Sequence, residues 1–96
     1  MRTLQEIKST LSNHKSRLFR DYPIKSIAIF GSYSRKEQND HSDLDILVEF
    51  SDNIGVRFID LAEELESIIG FKVDLVSKKG VKEKYLESIN SDLIYV

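Results

Sequence analysis

Apolar residues recur at helical spacing in the first part of the chain. Between residues 3 and 20 they lie three, four and seven positions apart, which places them on one face of a predicted helix. These residues are Leu4, Ile7, Leu11 and Leu18. Thr3 is the predicted N-cap, and Glu6 completes a capping box three residues later. Pro23 limits the helix, because the residue before a proline avoids helical geometry.

The second half of the chain contains two further predicted helices. Residues 56–69 carry an apolar face and end before Gly70, a residue typical of helix C-termini. The predicted face consists of Ile59, Ala62, Leu65 and Ile69. Residues 81–89 form the third amphipathic helix. Its apolar side consists of Val81, Tyr85 and Ile89.

Short apolar runs rich in β-branched residues predict the strands. Residues 24–30, 43–50 and 71–77 are such runs, and residues 93–96 can add a short last strand. This order of elements predicts an α/β (α+β) fold, in which helices pack on a small mixed β-sheet. A helix links the second and third strands, so they can be parallel, but an antiparallel arrangement is equally compatible with the pattern.

Two aspartates stand at the start of the second apolar strand. Because side chains alternate across a strand, Asp43 and Asp45 share the face opposite to the apolar one. Asp74 has the same setting in the third strand and joins them if the two strands pair. Carboxylate oxygens suit a hard cation, above all Mg²⁺. The alternative is a set of solvent-facing strand aspartates, but the Asp-x-Asp pair together with a third aspartate favours a metal site.

A glycine and a serine follow the first strand. Residues 33–38 are predicted to form one helical turn, with Ser32 or Ser34 as its N-cap. Backbone N–H groups at such a place bind phosphate, and Gly31 lets a phosphate approach the backbone. The Ser32 hydroxyl can add a hydrogen bond, and Arg35 can either reach the phosphate or stabilise the turn.

Composition and charge narrow the class of protein. The net charge of −2 gives no support to binding of duplex nucleic acid through a broad basic surface. The absence of cysteine excludes disulfides and thiolate metal sites. No apolar run approaches the ~20 residues of a membrane helix, and the start has no secretory signal, so we expect a cytoplasmic protein without membrane contact.

A few residues keep two interpretations each. A basic cluster is either a solvated face or a patch for an acidic partner or RNA. It consists of Lys78, Lys79, Lys82 and Lys84. Tyr33 either stacks on a base or packs in the core. His41 is expected to be a loop residue, and a role in the site is its alternative.

The stretch "GSYSRKEQNDHSDLDILVEF" brings these features together. It resembles the nucleotidyltransferase signature of the DNA polymerase β superfamily, in which Gly-Ser precedes Asp-x-Asp by about ten residues. The family's third carboxylate, on a later strand, matches Asp74. In length and motif form the chain is most similar to the minimal nucleotidyltransferases of MntA type. It departs from their usual pattern at Ser34, where the family commonly has Ala, and at Lys36, where it commonly has Gly.

The resemblance implies a fold, an activity and a partner. It implies that residues 1–96 form one minimal nucleotidyltransferase domain of polymerase β-like fold. Asp43, Asp45 and Asp74 would hold two Mg²⁺ ions, and Asp74 would be a ligand or a base, while Gly31, Ser32 and Arg35 would bind the triphosphate of ATP.

The expected partner is a HEPN-domain toxin. Transfer of AMP to a hydroxyl of that toxin, expected to be a tyrosine, would make this protein the antitoxin. A binding-only antitoxin and nucleotidyl transfer to a small molecule are the two alternatives.

Overall fold

The computed structural model describes residues 2–96, and it begins with the predicted helix. Helix α1 spans Leu4–Asp21, and the predicted capping box stabilises its N-terminus. Thr3 Oγ1 accepts a hydrogen bond from the Glu6 N–H, and Glu6 Oε1 accepts one from the Thr3 N–H, both at 3.2 Å. The chain turns to extended geometry at Tyr22, directly before Pro23.

Four strands form one mixed sheet. They are β1 (Ile24–Phe30), β2 (Leu44–Phe50), β3 (Val73–Ser77) and β4 (Ile94–Tyr95). The order across the sheet is β3-β2-β1-β4. Strand β1 is antiparallel to both of its neighbours, whereas β2 and β3 are parallel. The mixed α/β fold is therefore confirmed, and the question of how the second and third strands pair is answered.

Helix α2 spans Arg57–Ile69 and packs through a face that differs in part from the predicted one. Its buried residues are Leu61, Leu65 and Ile69. Ile59 was placed on the wrong face, because its side chain is 62% exposed. The predicted and the observed faces share Leu65 and Ile69, and they differ in the first turns of the helix, where Leu61 and not Ile59 is buried. Gly70 ends the helix at φ 92°, as its position predicted.

Further differences from prediction concern the third helix, on whose predicted apolar side Tyr85 is exposed, and the segment after β1. Helix α3 spans Glu83–Ile89, two residues shorter at its start than predicted. The helical turn predicted over residues 33–38 is wrong, because residues 31–36 form hydrogen-bonded turns without a helix. In these turns the Arg35 N–H donates to Gly31 O and the Lys36 N–H to Tyr33 O. We refer to residues 31–36 as the Gly31 turn.

The sheet is covered on both faces, but unequally. Helices α1 and α2 cover one face, where the buried residues of β2 are Leu44, Ile46 and Val48. Helix α3 covers part of the other face, on which Ile89 packs against Phe30 and Leu47. The aspartates of β2 and β3 belong to this second face. None of the helices within residues 2–96 is long and apolar enough to cross a membrane.

Candidate active site

The backbone of Gly31 lies in close contact with the side chain of Asp45 in β2. Gly31 has φ 75°, a conformation that side chains with a Cβ rarely adopt. A Cβ on Gly31 would collide with the Asp45 carboxylate and would lie 3.1 Å from its Cγ atom. Gly31 is therefore required twice, by its backbone conformation and by the close approach of Asp45.

Strand pairing places the second and third carboxylates side by side. Asp45 is opposite Asp74 in the parallel β2–β3 pair and opposite Phe30 in the antiparallel β1–β2 pair. Directly paired residues lie about 5 Å apart and point to the same face. Asp43 precedes β2 and lies at the same end of the sheet. We refer to Asp43, Asp45 and Asp74 as the acidic edge.

The surroundings of Asp45 disfavour its ionised form. Burial raises the pKa of Asp45 to about 6, and the negative charge of Asp74, a side-chain hydrogen bond with Asp74 and the charge of Asp43 act in the same direction. Arg35 opposes them with its positive charge. The carboxylates of the acidic edge are thus oxygen ligands whose mutual repulsion a divalent cation would relieve.

Asp43 is turned towards Lys72. Its Oδ2 atom lies 3.8 Å from Lys72 Nζ, and both side chains are largely exposed. Within residues 2–96, no three His, Cys, Asp or Glu side chains converge on one point that could hold a metal ion. Joint ligation of one ion by Asp43, Asp45 and Asp74 would therefore require side-chain movement. The chemistry of these three side chains fits Mg²⁺, since all of their donors are carboxylate oxygens.

The start of the Gly31 turn offers backbone donors. The N–H groups of Ser32, Tyr33 and Ser34 donate to no backbone carbonyl in the described part of the chain. Successive free N–H groups of this kind bind anions such as phosphate. The turn thus lies beside the acidic edge and presents the opposite polarity.

The end of the Gly31 turn is held by side chains. Arg35 Nε donates to Glu37 Oε1 and Arg35 Nη1 to Asp92 Oδ2, each at 2.9 Å. These two bonds raise the pKa of Arg35. The Ser34 hydroxyl donates to the Asp92 carbonyl. Arg35 therefore stabilises the turn in the arrangement observed, and its contact with a phosphate stays a prediction.

Both departures from the usual family pattern have a structural counterpart in this turn. Ser34 makes the bond to Asp92 that an alanine could not make. Lys36 adopts φ 59°, in the left-handed region that glycine prefers. Lys36 therefore occupies a conformation suited to the glycine that the family commonly has there.

A cavity of about 560 Å³ adjoins the acidic edge at Asp43. The loop before β2 forms one side of it, and the His41 side chain lines it from this loop. Tyr33 and Phe71 line it as a stacked pair with ring centroids 5.7 Å apart. Because Tyr33 is only 3% exposed, it packs in the core, and this second of its two interpretations is the one observed.

Two residues of this region escaped the sequence analysis. Lys72 contacts Asp43, and Asp92 contacts the Gly31 turn from 57 residues further along the chain. No local pattern marks either residue. Only the pairing of the last predicted strand with β1 could have pointed to Asp92. The basic cluster of residues 78–84 lies elsewhere, and its Lys78 pairs with Glu49 at 3.7 Å.

A protein-family model with the description "Polymerase beta, Nucleotidyltransferase" matches residues 5–95. Among curated relatives, MJ1379 of Methanocaldococcus jannaschii is 51% identical over the full length of both chains. It is provisionally named a protein adenylyltransferase. Protein adenylyltransferase MntA of Thermococcus cleftensis is 40% identical, over 100% of this chain and 98% of its own.

The comparison with solved structures adds an assembly. The tri-AMPylated HEPN toxin of Shewanella oneidensis in complex with its MNT antitoxin contains a chain of similar fold, with a TM-score of 0.67 and 25% identity. The match covers 93% of this chain and 70% of that one. Fold, family match and full-length identity agree. The chain therefore belongs to the polymerase β nucleotidyltransferase family and is a nucleotidyltransferase.

Proposed function

We propose that this protein transfers AMP from ATP to a hydroxyl group of a HEPN-domain toxin, a tyrosine hydroxyl in our proposal, and thereby acts as an antitoxin. One structural observation carries the proposal. The strand register brings Asp45 and Asp74 together beside Gly31, whose missing side chain makes room for the Asp45 carboxylate. The names of the relatives add the class of donor and acceptor, since MntA of Thermococcus cleftensis is a protein adenylyltransferase.

Different residues of the site would bind the triphosphate and activate the acceptor hydroxyl. The Gly31 turn, with its free N–H groups and the Ser32 hydroxyl, would bind the triphosphate, and Arg35 would support it. In the transfer step the acceptor oxygen attacks the α-phosphorus, the bond to the bridging oxygen of the β-phosphate breaks, and pyrophosphate leaves. Asp74, which is exposed beside Asp45, would take the proton of the hydroxyl group.

The acidic edge would hold two Mg²⁺ ions through Asp43, Asp45 and Asp74. When bound, these ions would neutralise the charge that develops on the phosphate oxygens. The protein's own contribution is then positioning, because phosphoryl transfer depends mainly on alignment of the reacting groups and on electrostatic stabilisation.

The test is a transfer reaction with the purified toxin. This protein is mixed with the product of the gene adjacent to its own, as the candidate HEPN-domain toxin, and with ATP and Mg²⁺. Intact-mass spectrometry measures the AMP added to the candidate toxin. We expect AMP addition by the wild type and none by the Asp43→Asn, Asp45→Asn double variant. Asp52→Asn is the matched control, because Asp52 is an exposed acid beyond the opposite end of β2. This control should transfer AMP at the wild-type rate.

The same variants separate the alternatives. A growth assay with the toxin measures neutralisation independently of transfer. A double variant that neutralises the toxin as well as the wild type would make this a binding-only antitoxin. Absence of AMP on the toxin, with AMP recovered on a small molecule, would instead move the acceptor to another chemical class.

A further inference from the structure

The Gly31 turn is tied to the last residues of the chain through Asp92. Arg35 Nη1 donates to the Asp92 carboxylate at 2.9 Å, and the Ser34 hydroxyl donates to the Asp92 backbone carbonyl. The two contacts use different groups of the same residue. Removal of the carboxylate alone therefore leaves the Ser34 contact in place and isolates the effect on Arg35.

Strand pairing fixes where Asp92 lies. In the antiparallel pair of β1 and β4, Ala28 is opposite Tyr95 and Ile29 is opposite Ile94. Asp92 itself lies outside β4, as the last residue of a 3-10 turn over Asn90–Asp92 that leads into the strand. The pairing of β4 with the end of β1 keeps this turn close to the Gly31 turn, where the Asp92 carboxylate contacts Arg35.

The contact between Asp92 and Arg35 lies at the surface and is partly shielded from solvent on the Asp92 side. The Asp92 side chain is 22% exposed, and the Arg35 side chain is 43% exposed. Charge-assisted hydrogen bonds of this kind are stronger than bonds between neutral groups. Arg35 is also held by Glu37, so two carboxylates determine the direction of its guanidinium group.

We propose that Asp92 is a positioning residue for nucleotide binding: its carboxylate holds Arg35 and thereby fixes the Gly31 turn beside the acidic edge. The proposal rests on the proposed function, because it assumes that the turn receives the triphosphate. It extends the site to the end of the chain, where no residue was expected to take part. The positive charge of Arg35 reaches Asp45, so its placement also influences the acidic edge.

The experiment measures ATP binding and AMP transfer in Asp92→Asn. This change keeps the size of the side chain and removes its charge. We expect the KM for ATP to rise about tenfold, the factor that corresponds to ~1.4 kcal/mol, while kcat changes by less than about twofold. Glu87→Gln is the matched control, since Glu87 is an exposed acid of the neighbouring α3 and makes no ion pair within residues 2–96. It should behave as the wild type.

A double-mutant cycle shows whether Asp92 acts through Arg35. If it does, Asp92→Asn should weaken ATP binding in the wild type but have little further effect in an Arg35→Gln background. Equal losses in the two backgrounds would overturn the proposal. An unchanged KM with a lowered unfolding temperature would do so as well, because Asp92 would then be merely structural.

Two further measures keep the outcomes distinct. Calorimetric titration with α,β-methylene-ATP and Mg²⁺ reports binding without transfer, because the bond that would break is replaced by a methylene bridge. If the wild type binds this analogue but transfers no AMP from ATP, only the proposed function is contradicted. The effect of Asp92→Asn on the dissociation constant of the analogue would still decide the role of Asp92. If Asp92→Asn does not fold, the pair Asp92→Glu and Asp92→Gln is compared, and only Asp92→Glu should retain tight binding.

Discussion

At the scale of single residues, the contact between Gly31 and Asp45 couples the two halves of the site. The backbone of Gly31 lies so close to the Asp45 carboxylate that a methyl group does not fit between them. A fixed approach of this kind sets the distance between the Gly31 turn and the acidic edge. The missing side chain of Gly31 therefore allows the proposed phosphate-binding turn to lie in contact with a proposed metal ligand.

Gly31→Ala should destabilise the protein and abolish transfer. A side chain at φ 75° costs about 1–2 kcal/mol, and displacement of the Asp45 carboxylate adds to this loss. Gly55→Ala is the matched control, because Gly55 has φ 57° but no neighbouring atom within 4 Å of an added Cβ. Urea denaturation should show a larger loss at Gly31 than at Gly55. Equal losses would mean that the contact with Asp45 relaxes without cost.

At the scale of elements, α2 shows how a helix chooses its buried face. Two overlapping series of apolar residues run along this segment, and each is compatible with helical spacing. The series Leu61, Leu65 and Ile69 faces the sheet, while Ile59 faces solvent in the first turn of the helix. The choice depends on the angle at which the helix meets the sheet, which a one-dimensional pattern does not contain.

Substitutions in α2 should reflect this face. Leu65→Ala should lower the free energy of unfolding by about 3 kcal/mol, because it opens a cavity in the core. Ile59→Ala should change it by less than about 0.5 kcal/mol, since the side chain is exposed and alanine favours the helix. Thermal or urea unfolding of the two variants measures the contrast. A large loss for Ile59→Ala would restore the face predicted from the sequence.

At the scale of the whole molecule, the negative charge of the acidic edge lowers the free energy of unfolding. The folded-state pKa of Asp45, about 6, lies above its ordinary value of 3.8. Asp45 therefore destabilises the fold when ionised, and this cost is present above pH 6 and disappears as the pH falls from about 6 towards 4. Function and stability are in conflict at this position.

Asp45→Asn should therefore stabilise the Mg²⁺-free protein at pH 7 while it removes activity. We expect a gain of about 1 kcal/mol, less than the full shift of the pKa implies, because the side chain is partly solvated. The gain should vanish near pH 4, where the wild-type carboxyl is neutral in the fold. Urea denaturation at both pH values measures it, with Asp52→Asn as the exposed control. A loss of stability at pH 7 would contradict the assigned cost.

Addition of Mg²⁺ gives the reciprocal result. A cation that binds the folded acidic edge should raise the unfolding temperature of the wild type at pH 7. The same addition should leave the Asp43→Asn, Asp45→Asn double variant nearly unchanged. If Mg²⁺ raised the unfolding temperature of both proteins equally, its binding site would lie outside the acidic edge.

The sequence by itself predicted most of the helices and strands and the residues of the candidate site. Period and capping residues identified α1 and its start at Thr3, because these signals are local. Alternation in β2 and β3 separated the aspartates from the apolar face, and Gly31 marked the end of β1. The family resemblance then supplied the activity class, which the family match confirms.

Tertiary structure decided what depends on contacts between distant segments. The parallel pairing of β2 and β3 brought Asp74 to Asp45, and the pairing of β4 with β1 brought Asp92 to the Gly31 turn. The buried face of α2 and the loss of the predicted helical turn belong to the same class. The physical reason is that periodicity reports which face of a segment is apolar, whereas register and packing arise from the free energy of segments meeting in space.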